Sequence, residues 1–195
     1  MQIFKWLMAL VVMMCVPMIL ECFKNFNRSD YRHSEEHLKE RVKDIYSHVM
    51  LFYNRLGTLR KTDGLVPTEW PDFDRLYCTD DWNRKLAAVL QKEEKQEGGQ
   101  GFFDWNYWLC APDCDLLWVT DVEVIDKTGD QGTVSLVLHN GDSLAVPVLL
   151  NMVYERKDWR IDEITNNWNH HPHYRHYEWK HEMAAYLSAS SQSLS

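Results

Sequence analysis

The run Thr133-Val134-Ser135-Leu136-Val137-Leu138-His139 is joined through Asn140-Gly141 to the run Leu144-Ala145-Val146-Pro147-Val148-Leu149-Leu150-Asn151-Met152. Apolar side chains fall at every second position: Val134, Leu136 and Leu138 in the first run, and Leu144, Val146, Val148, Leu150 and Met152 in the second. A period of two places such side chains on one face of a pleated strand. Asn and Gly both tolerate the positive φ that a tight hairpin turn demands, so the two runs are predicted to fold back on each other. Pro147 has no amide hydrogen to give, which points to an edge or a bulge there.

The pattern extends in both directions. Upstream, Trp118, Thr120, Val122 and Val124 alternate with Val119, Asp121 and Glu123, and Thr128-Gly129-Asp130 supplies a turn. Downstream, Arg156-Lys157-Asp158 is the next turn, and Trp159 and Ile161 open a fourth strand. The expectation is a four-strand antiparallel meander whose apolar face needs a cover.

Two helices are predicted to provide it. Over 30–61, Leu38, Val42, Ile45, Val49, Phe52 and Leu56 recur at three- and four-residue steps, with Gly57 weakening the end. Asp63-Gly64, Pro67 and Pro71 mark a loop. A second helix is expected over 74–97, capped at Asp80 or Asp81, with Trp82, Leu86, Val89 and Leu90 facing one way. Residues 98–115 read as an irregular segment rich in aromatics, which must pack on something. Residues 166–195 read as a His-rich and Ser-rich tail, with a short helix from Tyr177 to Leu187 and disorder from Ser188. The fold class is thus α+β: two N-terminal helices on a curved four-stranded antiparallel sheet, cone-like, in one domain over 30–165, with a short helical tail.

The 195 residues carry 21 Lys and Arg against 29 Asp and Glu, a net charge of −8. That balance argues against a nucleic-acid partner and against docking on anionic lipid through a basic patch. Residues 1–22 differ from the rest. Lys5 precedes an apolar run from Trp6 to Leu20, short for a membrane span and suited to a secretory signal. Export to the periplasm or cell envelope is expected, with membrane contact only through this segment. Cleavage, lipidation at Cys22 and an uncleaved anchor stay open as outcomes of export, with a buried amphipathic N-terminal helix as the alternative to it; Glu21 stands where a lipidation site wants a small residue.

An exported compartment permits disulfides among Cys78, Cys110 and Cys114. The short Cys110–Cys114 bridge is favoured because the two meet readily in sequence. Cys78 competes for either partner, and three reduced buried thiols are the alternative. The spacing is not that of a redox Cys-x-x-Cys pair.

The order helix, helix, aromatic loop, antiparallel sheet resembles the nuclear transport factor 2-like, or cystatin-like, superfamily. More narrowly the chain resembles the bacterial domain-of-unknown-function 3828 family. The residues that carry this are Phe103-Asp104-Trp105-Asn106-Tyr107-Trp108-Leu109, Ala111-Pro112-Asp113-Cys114-Asp115, Val122-Glu123-Val124 and Asp158-Trp159-Arg160-Ile161-Asp162-Glu163-Ile164. Pro112 replaces the Gln expected before Asp113. The resemblance implies an exported domain with no assigned activity. It also implies a cone-shaped cavity of the kind in which isomerases and dehydratases of similar fold place an Asp or His.

Two constellations could carry chemistry. Trp105, Tyr107, Trp108 and Trp118 are candidate walls of a ligand cavity, with Asp104, Asp113 and Asp115 as nearby carboxylates. The plainer reading of those aspartates is that they cap turns. His170, His171, His173 and His176, with His181, Glu178 and Glu182, have metal-ligating side chains but no His-Glu-x-x-His order, and a solvated tail is the plainer reading. The sequence contains no Ser-His-Asp pattern, phosphate loop or dinucleotide fingerprint. The expected function is a non-enzymatic envelope module binding a small molecule, peptide or protein, without a cofactor. The alternative is an acid/base enzyme using Asp104 or Asp113.

Overall fold

The computed structural model describes residues 31–61, 70–95, 102–103, 106–111, 115–142, 144–166 and 177–189. The leader at 1–22 and its Cys22 lie outside them. Among the described residues no helix is long and apolar enough to cross a membrane.

Helix α1 (Glu35–Lys61) carries Glu35 and Glu36 in its first turn, where carboxylates face the positive end of the helix dipole. Its buried stripe is Leu38, Val42, Ile45, Tyr46, Val49, Tyr53 and Leu56. The helix continues past Gly57, since burial of Leu56 outweighs a glycine cost of about 1 kcal/mol.

The stretch expected as one helix over 74–97 is two, α2 (Phe73–Tyr77) and α3 (Asp80–Glu94). Between them the chain is extended. Cys78 bridges Ile161, and the Thr79 amide donates to the Ile161 carbonyl at 2.9 Å. A strand-like contact with the sheet therefore interrupts the helix. The cap of α3 is Thr79, not Asp80 or Asp81: its hydroxyl accepts from the Trp82 amide. Trp82 and Val89 are buried, whereas Leu90 is 46% exposed and leaves the predicted face.

The sheet is open and antiparallel, in the order β1 (Leu117–Thr128), β2 (Gln131–Asn140), β3 (Leu144–Glu155), β4 (Asp158–Asn166), β5 (Tyr177–Glu178). It has five strands, because Tyr177 and Glu178 pair with Asn166 and Thr165. Val134, Leu136, Leu138, Val146, Val148, Leu150 and Met152 point into the core as predicted. Pro147 pairs with Val137 on one side only; β4 begins its pairing one residue later, at Val148. The turns at Gly129 and Gly141 use positive φ, and the Arg156-Lys157 turn does so at both positions without a glycine.

The β1 face differs from its predicted alternation. A bulge between Thr120 and Glu123, with Asp121 at φ 53°, shifts the phase by one residue. Leu117 and Val119 pack on the core before it, and Val122 and Val124 after it. Trp118 and Thr120 are consequently on the outer face.

Helix α1 lies over β1 and β2, with Leu38 close above Gly132, where an added Cβ would stand 2.5 Å from a Leu38 methyl. The Asn54 side chain fixes the entry to β1 by bonding both the amide and the carbonyl of Leu117, at 2.7 and 2.8 Å. Helix α4 (Trp179–Ala189) packs on α3 and β4 and buries Trp179 and Met183. The short helix expected from Tyr177 to Leu187 is thus present, running on to Ala189, and two of its side chains, Trp179 and Met183, join the core.

Candidate functional site

The segment 106–111 is a closed turn. The Asn106 amide donates to the Ala111 carbonyl at 3.3 Å, the Asn106 side chain accepts from the Trp108 amide at 2.9 Å, and it donates to the Tyr53 hydroxyl at 2.7 Å. Tyr107, Trp108, Leu109, Cys110 and Ala111 are all buried. A turn tied through its own polar groups can be buried without leaving them unmet. Tyr107 meets Trp82 edge-on and Trp179 at a tilt, and Trp108 meets Tyr46 edge-on and Phe73 at a tilt. The loop is therefore a plug in the core, and Tyr107 and Trp108 are not open walls.

Trp118 is not beside them. On the outer sheet face it stacks on His139 at 4.8 Å with the rings nearly parallel, and His139 Nε2 lies 3.0 Å from the Thr120 hydroxyl. The predicted aromatic wall thus divides between the core and the opposite face. Trp105, Asp104, Asp113 and Cys114 lie outside the described residues, as do His170, His171, His173 and His176. Asp115 is exposed at the entry to β1, where its amide donates to Asn140 Oδ1. Cys78 and Cys110 are free, buried thiols, and burial pushes both up out of the reactive range.

Beneath the plug is a carboxylate that the sequence pattern did not single out. Asp74, on α2, accepts from the Tyr107 hydroxyl at 2.7 Å and from the Trp82 indole at 2.9 Å, both at Oδ1. Burial raises its pKa, and the Tyr107 and Trp82 hydrogen bonds pull it partly back. Burial and then the adjacent Asp74 push the Tyr107 hydroxyl well above its ordinary value. The Trp108 indole faces the same carboxylate without completing a hydrogen bond. The signal available in sequence was only an Asp among Phe73, Tyr77 and Trp82, which is weak.

A second polar centre lies at the β4 bulge, where Asp162 is the extra residue opposite Asn151 and Met152. Asp162 accepts from the Thr79 hydroxyl at 2.8 Å and is bonded by Lys180. Lys180 also reaches Asp81 at 3.3 Å, and Lys85 bonds Asp81. Burial opposes charge on Lys180, but Asp162 and Asp81 outweigh it, so its pKa is raised. Glu163 accepts the amides of Ile164, Lys180 and His181 at 3.0, 2.8 and 3.2 Å, and so meets the first turn of α4. Burial raises the Glu163 pKa, and those amides pull against it.

This centre borders two adjoining clefts. One, of about 380 Å³, is lined by Lys85, Asn151, Asp162, Glu163, Lys180 and His181, among others. The other, of about 320 Å³, includes Asp126, Gln131, Thr133, Asn151, Val153 and Asp162. They share Asn151 and Asp162. Among the described residues no cluster of His, Cys, Asp or Glu has the geometry to hold a metal ion.

No protein-family model, curated protein or solved structure matches this chain.

Proposed function

We propose that the chain is an exported domain of the bacterial envelope that binds a small molecule, peptide or protein through the paired clefts beside β4. The observation that carries this reading is their continuity through Asn151 and Asp162. Each has the volume of a small-ligand site, and hydrogen-bonding groups dominate the named walls. The buried plug at 106–111 speaks against a ligand between helices and sheet at that point. A cone-like member of the nuclear transport factor 2-like superfamily, within the domain-of-unknown-function 3828 family, fits the order of helices followed by antiparallel strands. The bulges in β1 and β4 are the devices that would curve such a sheet.

The test is a thermal-shift screen of envelope metabolites and short peptides against the native chain and Asn151→Arg. Asn151 is exposed, and an Arg there blocks both clefts from their common wall. Ligands that stabilise the native chain should lose their effect in the variant. Undiminished shifts in a folded variant would refute the location. Mass spectrometry of the mature N-terminus after cell fractionation tests export, which an intact Met1 in the cytoplasmic fraction would exclude.

A further inference from the structure

The cleft of about 320 Å³ carries charge of one sign only: Asp126 and Asp162 line it, and no Lys, Arg or His is among its lining residues. The strand register places the two aspartates at opposite ends. Asp126 on β1 pairs with Thr133 on β2, Thr133 with Asn151 on β3, and Asn151 with Glu163 on β4, next to the bulged Asp162. The Thr133 hydroxyl donates to Asn151 Oδ1 at 3.3 Å, so these side chains form a polar row across the outer face of the sheet. With strands about 4.8 Å apart, the row holds the two carboxylates roughly 10–14 Å from each other. Asp126 is exposed and its carboxylate has no partner among the described residues. Asp162 accepts from Thr79 at Oδ1 and from Lys180 at Oδ2, but a carboxylate has about four lone-pair sites, so each oxygen can take a second donor.

We propose that this cleft takes a linear molecule with an ammonium group at each end, the class of aliphatic diamines and polyamines. The proposal rests on the paired clefts being a ligand site and names the occupant. One ammonium donates to Asp126 and the other to Asp162. Between them the chain crosses Thr133 and Asn151, whose hydroxyl and amide oxygens accept from any secondary ammonium along it. At the Asp162 end the charges of Lys85 and Lys180 are matched by Asp81 and Asp162, and Glu163 and Glu178 add two further carboxylates, so that end also favours a cation. A carboxylate or phosphate lying along the row meets like charge at both ends. A metal ion holds its oxygen ligands within about 2.6 Å and cannot touch both aspartates at once. A neutral ligand gains the hydrogen bonds but nothing from the charges.

The experiment is isothermal titration of the native chain with 1,8-diaminooctane, spermidine and the monoamine octylamine. The two polycations should bind with dissociation constants of about 10–100 μM, at least tenfold tighter than octylamine, because the second ammonium docks with the first already in place. Asp126→Asn changes an exposed residue that bonds nothing in the fold, and should bring 1,8-diaminooctane down to the level of the monoamine. Octylamine binding as tightly as the diamine would overturn recognition at two ends. Undiminished diamine binding in Asp126→Asn would overturn the site, leaving only a diffuse attraction to the net negative charge. If no amine binds while another ligand still stabilises the native chain and not Asn151→Arg, the amine class is wrong and the clefts stand as the binding site. Ligands that bind the native chain and Asn151→Arg alike would remove the clefts and this proposal together.

Discussion

Glu163 and Asp74 are both carboxylates drawn out of water. Glu163 is met by three backbone amides, with the Lys180 ammonium nearby, and it ties β4 to the first turn of α4. Asp74 is met by two aromatic side chains on other elements, with no cation among the described residues. Backbone amides at a helix start are donors that any fold must satisfy, so a carboxylate there solves a problem the helix itself creates. A tyrosine hydroxyl and an indole N–H need burying only because those side chains were placed there. Glu163 is thus a structural hub, whereas Asp74 is a charge held in the core that the fold could do without.

That difference predicts a graded series. Glu163→Ala strips the acceptor from three amides and should cost about 2–3 kcal/mol in urea unfolding. The amides of α4 should lose their hydrogen-exchange protection first. A loss no larger than that of a surface substitution would erase the distinction from the Glu163 side. Tyr107→Phe, which takes one donor from Asp74, should cost about 1–2 kcal/mol and raise the Asp74 pKa further.

Asp74→Asn keeps an acceptor for Tyr107 and Trp82 while removing the buried charge. It should be neutral or stabilising by up to about 1 kcal/mol at neutral pH, as replacement of a poorly compensated buried charge often is. A loss beyond about 2 kcal/mol would make Asp74 a structural anchor like Glu163. The pH dependence sharpens the same point. An acid whose pKa is raised by folding holds its proton more tightly in the folded state. Its contribution favours folding below its unfolded value and is withdrawn as pH climbs through the raised one. Asp74 and Glu163 therefore both push stability upward as pH falls from neutral towards the ordinary carboxyl range. Asp81 works in the opposite sense. The hydrogen bond from Lys85 leads the causes that lower its pKa, and its contribution is lost as pH falls through that lowered value. The difference between native chain and Asp74→Asn isolates one group: the variant's advantage should shrink as pH drops.

The smallest effect concerns a turn. Lys157, at φ 68° in the tight turn before β4, occupies a conformation that suits glycine. Lys157→Gly should gain about 0.5 kcal/mol in thermal unfolding, the relief of a left-handed residue less the entropy cost of glycine.

The strands and their three hairpins were legible because alternation and turn chemistry are local. Trp118 was misplaced for a physical reason: one inserted residue at the Asp121 bulge reverses which side chains face inward, and a period-two pattern does not contain the insertion. The break between α2 and α3 was hidden because it depends on Ile161, far away in sequence. The aromatic loop was identified as a segment that must pack, but Tyr107 and Trp108 were assigned to a cavity wall instead of the plug they form. Asp162 and Glu163 stood in the quoted C-terminal motif, yet their roles require α4 to return beside β4, which no local pattern announces.

Strand β1 lies at the margin of the sheet over its whole length from Leu117 to Thr128. Among the described residues this strand has a strand neighbour on one side only, and a flat margin of that kind would template fibrous self-association. Here Asp121 breaks the ladder with a left-handed kink, a second irregularity follows at Ile125, and Glu123, Asp126 and Lys127 place charges along the rim. The same bulge that turns Trp118 away from the core thus denies an incoming strand a continuous register along this margin of the described sheet.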